Sequence, residues 1–264
     1  MAKPKTEQSS EIMSLFEEHA GSGIGDISPD DLATPRISII QPMSPQLKKS
    51  SPKYIETASV GDLLFTATET AIDGSEGIRF LPAFFDNNYV EWTLREDGGG
   101  FVAVHAKDTP LLAQAQRDTF YRDVLTHSDG TRTELQKTNN HYGFAEISGE
   151  MQRCVINMTR SQLKISRAWI GAINNTRMNG AKGDFTPPAH SHFYNISTIE
   201  EESKKGTYYN YKITQERPLN AEETDLFKEA EEFSKFCLGG GMQNMLPQGE
   251  TTEKLADQSK PDWA

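Results

Sequence analysis

The chain lacks most of the features that announce chemistry. Its two cysteines, Cys154 and Cys237, are too few for a disulfide framework, and neither stands in the CxxC or Cys/His spacing that binds zinc. Both read as reduced thiols. No run approaches the roughly 18 apolar residues of a membrane span, and MAKPKTEQSSEIMSLFEEHAG at the N-terminus lacks the apolar segment of a signal peptide. The expectation is a soluble intracellular protein with no membrane partner. There is no GxxxxGK followed by Ser or Thr, no GxGxxG after a strand, and no GxSxG. Glu200-Glu201-Glu202 falls in an expected turn, and no acidic partner converges on Glu202-Ser203-Lys204 as a metal-dependent nuclease would require. His190 and His192 stand two apart without an evident third ligand. These absences argue against an enzyme, a metal and a cofactor. No repeat at solenoid periods is present.

What is present is strand text. The 264 residues suit one domain with appendages, and 13 Phe, 8 Tyr and 3 Trp give it a core to bury. Residues 1–35, broken by GSGIG, Pro29 and Pro35, read as a flexible N-terminal arm with a short amphipathic turn at Ile12, Leu15 and Phe16. Strands are expected at 36–41 and 62–68. A hairpin is expected to pair 78–85 with 89–96 across Asp86-Asn87-Asn88, with Pro82 at a bulge or an edge. Thr109-Pro110 opens a short helix after the strand 101–106. A polar hairpin through Ser128-Asp129-Gly130 reads as an arm at 119–137 projecting from the body. Strands 142–147 and 152–158 follow, and the hairpin 192–199 with 207–214 comes last. Asn220 with Glu223 forms a capping box for a helix ending before Gly239, whose apolar face is Phe227, Ala230, Phe233 and Cys237. The fold class is mainly β with helical additions. An OB-like β-barrel over 36–238, including the C-terminal helix 221–238, carries a hairpin arm, and 239–264 is a flexible tail.

The charge is unevenly placed. The net charge is −11, yet residues 151–183 contain Arg153, Arg160, Lys164, Arg167, Arg177 and Lys182 and no acid, so the rest of the chain carries −17. On a helix beginning near residue 159, Arg160, Lys164 and Arg167 fall within about 60° of one another, with Trp169 and Ile173 opposite. Trp169 is therefore expected in the core and the cations on a ridge. Thr159 or Ser161 can cap this helix, leaving its positive end beside Arg160, where a phosphate is favoured. Tyr208-Tyr209-Asn210-Tyr211-Lys212 lies near Lys204 and Lys205, and aromatics beside cations on a sheet are what single-stranded nucleic acid requires. Tyr209 and Tyr211 are expected to be the exposed rings.

The order PRISIIQPMSPQ, LPAFFDNNYVEW, NMTRSQLKISRAW and HSHFYNISTIEEESKKGTYYNYKI, spanning 36–214, resembles a family of small bacteriophage single-stranded DNA-binding replication proteins. The resemblance implies an OB-like barrel that coats exposed DNA during phage replication and recombination, in the cytoplasm of the infected host. It also implies a C-terminal tail that recruits partners. By position it points to Arg160, Lys164, Arg167, Tyr208 and Tyr209. The tail departs from the pattern: 250–264 holds four acids against Lys254 and Lys260, although Asp262 and Trp263 supply an acidic-aromatic ending. The expected ligand is single-stranded DNA, bound without sequence preference, and a homo-oligomer is compatible. The alternative is a phage structural or host-interaction protein whose basic ridge docks an acidic partner.

Overall fold

The computed structural model describes residues 12–16, 18–19, 34–203 and 206–239. The chain divides into two units, 1–33 and 34–264. In the first, 12–16 is helical and the amide of His19 donates to the Leu15 carbonyl at 3.1 Å.

The second unit is mainly β with helical additions, and its large sheet curls into a half-barrel. The strands are β1 (Ile37–Ile39), β2 (Leu63–Phe65), β3 (Thr70–Ile72), β4 (Ile78–Thr93), β5 (Phe101–Ala106), β6 (Gln116–Arg117), β7 (Asp123–Thr126), β8 (Arg132–Ile147) and β9 (Glu150–Thr159). Helix α1 (Leu163–Asn175), the small hairpin β10 (Met178–Gly180) and β11 (Gly183–Phe185), strands β12 (His192–Ser203) and β13 (Gly206–Pro218), and helix α2 (Thr224–Leu238) complete it.

The spine is the antiparallel pair β4–β8, in register from Phe80 opposite Ala145 to Thr93 opposite Thr133. Each strand is 16 residues long, so each carries different neighbours at its two ends. At the lower end β12 and then β13 flank β4, while β9 flanks β8. At the upper end β5 flanks β4, and β7 with β6 flanks β8. The hairpin expected across Asp86-Asn87-Asn88 is therefore corrected: these three residues continue one strand, opposite Asn140, Asn139 and Thr138. Their turn preference is overridden because β8 supplies partners for their backbone and Asn140 donates to Asp86 Oδ1 at 2.7 Å. The expected arm is likewise no free projection, because β8 carries it along β4. Pro82 does sit at a bulge, since the register slips by one residue between Pro82 and Phe84.

The lower storey is covered on both faces. On one, the sheet β1–β2–β3 and α1 close over Ile78, Phe80, Ala145, Cys154, Ile156, Met158 and Ile196. Trp169 enters this core as expected, stacked on His141 at 4.3 Å and edge-on to Phe80 and Tyr194. On the other face Ala230, Phe233 and Cys237 of α2 pack on Leu81, Tyr142, Phe144, Val155 and Phe193. The Asn220–Glu223 capping box is in place, with Asn220 Oδ1 accepting from the Glu222 amide and Glu223 Oε2 from the Asn220 amide. Among the described residues no helix is long and apolar enough to cross a membrane.

A polar pin holds α1 to the spine. Ser166, fully buried, meets His141 Nε2 at 2.7 Å and accepts from Asn139 Nδ2 at 2.8 Å. Burial pushes the His141 imidazole down from 6.5 to about 3. The unfolded chain then binds a proton near pH 6.5 that the folded protein refuses until about pH 3, so stability falls as pH drops through this window. Urea unfolding at several pH values should show this residue removing up to about 1.4 kcal/mol per pH unit between roughly pH 6 and 4. His141→Gln should lack that part of the slope, and equal slopes in the two proteins would refute the assignment.

Candidate functional site

The bulge at Pro82–Phe84 sets which side chains reach the face shared with α2. Below it Leu81 and Ala83 point to that face, and above it Phe84, Asp86, Asn88, Val90 and Trp92 do so. Strand β8 contributes Glu134, Gln136, Thr138 and Asn140, and β9 contributes Asn157 and Thr159. Because α2 covers only the lower storey, Asn88, Val90 and Trp92 with these β8 and β9 residues floor an open groove of about 460 Å³, while Phe84 and Asp86 line the cleft beside it. Among the described residues Arg36, Arg95, Arg122 and Arg160 line it, against Glu134 as the single acid. Beyond Asn88 it meets a second cleft of about 750 Å³, lined by Phe84, Val104, His105, Lys107, Tyr142 and the end of α2 at Cys237 and Leu238.

The groove is rigidly built at both ends. At the lower end Asn157 Nδ2 donates to Asn140 Oδ1 at 2.8 Å, and Asn140 Nδ2 donates in turn to Asp86. Burial raises the Asp86 carboxyl above its ordinary range, while the Asn140 donor pulls the other way. At the upper end the Arg122 guanidinium bonds Glu96 and Asp118, each at 2.7 Å. That guanidinium holds the Glu96 carboxyl down at about 2. Trp92 packs edge-on to Phe101 with centroids 5.8 Å apart.

The residues singled out by the sequence scatter around this geometry. Arg160 lines the groove, its guanidinium 2.9 Å from Glu134, with a left-handed backbone (φ 49°) that starts the helical segment. Gln162 Oε1 closes that start by accepting from the Thr159 amide at 3.1 Å. Lys164 and Tyr208 converge on Glu201: the Tyr208 hydroxyl donates to it, and Lys164 Nζ stands 4.0 Å away. Arg153 fastens α2, pairing with Glu229 at 3.0 Å and lying over the Phe233 ring. Arg177 donates to the carbonyls of Asn174 and Thr176 just past α1. Arg167, Lys182 and Lys212 are exposed, with no ion pair among the described residues. The expected ridge on one helix face is thus corrected: Arg160 precedes α1 and pairs with Glu134, Lys164 stands beside Glu201, and Arg167 alone of the three has no ion pair among the described residues.

Tyr211 is also corrected. It is 3% exposed, in the core beside Ile37, whose carbonyl accepts from its hydroxyl at 3.1 Å, so it cannot stack on a base. Tyr209 is half-buried, its ring laid on Gly61 and its hydroxyl donating to Glu200 at 2.9 Å. A Cβ at Gly61 would strike that ring, and φ there is +92°. Lys204, Lys205, Asp262 and Trp263 lie outside the described residues.

Arg36, Arg95 and Arg122 and the groove's amides were not singled out from the sequence. Their signal was a period-two polar stripe, at 86 and 88, at 134 to 140, and at 157 and 159, inside text otherwise apolar enough for strands.

The chain belongs to the Pam3 phage gp34-like protein family, whose model matches residues 5–243. No curated protein and no solved structure matches it.

Removing the Arg122 guanidinium should loosen the upper wall of the groove. Hydrogen exchange of the Arg122→Ala variant should be several-fold faster at 95–99 and 118–123, with the amides of α1 unchanged. Unaltered exchange in both segments would show that the loop stands without this contact.

Proposed function

Proceeding from membership of this phage family, we propose that the protein is a non-enzymatic single-stranded DNA-binding protein. It coats exposed strands during phage replication and recombination in the cytoplasm of the infected host. The observation that carries this reading is the groove with four arginines and one acid in its lining, in a chain whose net charge is −11. In an acidic chain, an excess of arginine over acid in one groove favours a polyanion there. Its floor draws side chains from three adjacent strands, Trp92 and several carboxamides among them, and so offers an aromatic ring and polar groups to bases. Chemistry on a substrate finds less support. The Ser166–His141 contact, the arrangement nearest to a nucleophile with its base, is sealed beneath α1.

Partner recruitment through Asp262 and Trp263 belongs to the same proposal. A second reading, a phage structural or host-interaction protein, draws on the upper storey, where Phe120 and Tyr121 are 63% and 79% exposed.

Fluorescence anisotropy with labelled oligo-dT and a matched duplex across a salt series tests the first reading. Neutralising about four to six phosphates gives log K falling with log salt at a slope of roughly −3 to −4. Arg95→Ala combined with Arg160→Ala should reduce that slope by about 1.4, weakening all sequences alike. Equal affinity for duplex, or no binding in low salt, would overturn the proposal.

A further inference from the structure

The groove floor has a saturated half and an unsaturated half. At its lower end Asn157 donates to Asn140, which donates to Asp86 in the neighbouring cleft. Immediately above, Asn88 is only 8% exposed and its Oδ1 has no partner among the described residues. The indole Nε1 of Trp92 is likewise buried and unpartnered. The half-buried carboxamide of Gln136 makes no side-chain hydrogen bond among the described residues. Native interiors keep few such groups, because a buried donor or acceptor without a partner gives up its hydration with nothing in exchange. Asn88 and Trp92 stand four residues apart on one strand, and Asn88 lines both clefts.

Phosphate answers only the Trp92 donor and leaves the Asn88 oxygen unmet. It accepts hydrogen bonds and attracts cations, whereas an Asn or Gln carboxamide presents an acceptor beside a donor, the pattern of a nucleobase edge. Asn88 stands opposite Thr138 and diagonal to Gln136, roughly 7–8 Å away, a gap that a planar base fills. Rotation of each carboxamide about its terminal torsion offers the groove either its oxygen or its nitrogen. Resting on the single-stranded DNA reading above, we propose that Asn88 and Gln136 hold the hydrogen-bonding edge of one unstacked base of the bound strand beside the Trp92 ring. Arg95 and Arg160, which line the same groove, take the flanking phosphates. The protein then grips each strand by its bases as well as its backbone, and it distinguishes bases from their shape-mimics.

Three probes of equal length separate these contributions: oligo-dT, an oligomer of difluorotoluene nucleotides, which keep thymine's shape but not its edge hydrogen bonds, and an abasic oligomer. The wild-type protein should bind the difluorotoluene oligomer roughly tenfold more weakly than oligo-dT. Asn88→Ala with Gln136→Ala should bind the two alike. Gln136→Ala alone, at a half-buried position, repeats the comparison with less disturbance and should narrow the gap. Equal wild-type affinity for oligo-dT and difluorotoluene would overturn the inference while leaving strand binding intact. A difference that survives in both variants would remove these two residues from it. Failure of all three probes to bind would sink the underlying single-strand reading instead.

Discussion

A single extra residue in β4 decides which side chains the groove receives. Along an antiparallel pair the faces alternate strictly, so a one-residue slip exchanges them. Between Pro82 and Phe84 the register with β8 slips once, and every residue of β4 beyond that point changes sides. Without the slip, Asn88 and Trp92 would face away from Gln136 and Asn140, and Glu91 would occupy the groove in their place. Glu91 instead lies on the reverse face, buried and bonded to Thr133, His105 and His127. Pro82 suits the irregularity because it has no amide to lose from the ladder. The groove therefore rests on a backbone defect held by two 16-residue strands.

The covering helices then determine how much of the two faces remains open. Helix α1 and the three-stranded sheet seal one side of the lower storey, and α2 seals the other. The half-barrel is thus a packed sandwich below and an open trough above. The basic residues divide in the same way: Arg153 holds a helix down, whereas Arg160 is carried by its unusual backbone to the trough wall.

Much of this was legible in the sequence, where the information is local. Trp169 in the core, the bulge at Pro82, the apolar face of α2 and the mainly-β class all follow from periodicity and from residue-specific backbone limits. The errors share one cause, which is that a partner distant in the chain overruled a nearby preference. Asp86-Asn87-Asn88 reads as a turn until β8 is laid beside it. The acid-free segment 151–183 reads as free charge until Glu134, Glu201 and Glu229 arrive from elsewhere. Tyr211 looks like any other tyrosine of its hairpin, and only the placement of β1 against it makes it core. The groove itself was hidden because its stripe is shared among three strands, none of which shows more than a few polar residues alone.

The alternation of β8 places two unlike environments one peptide apart. Asn140 belongs to the trough, while Asn139 and His141 on either side belong to the pin beneath α1, and His141 lies flat against Trp169. One backbone therefore serves two faces at once: Asn140 and His141 share a peptide, so a change of register here would exchange the trough's carboxamide for the pin's imidazole.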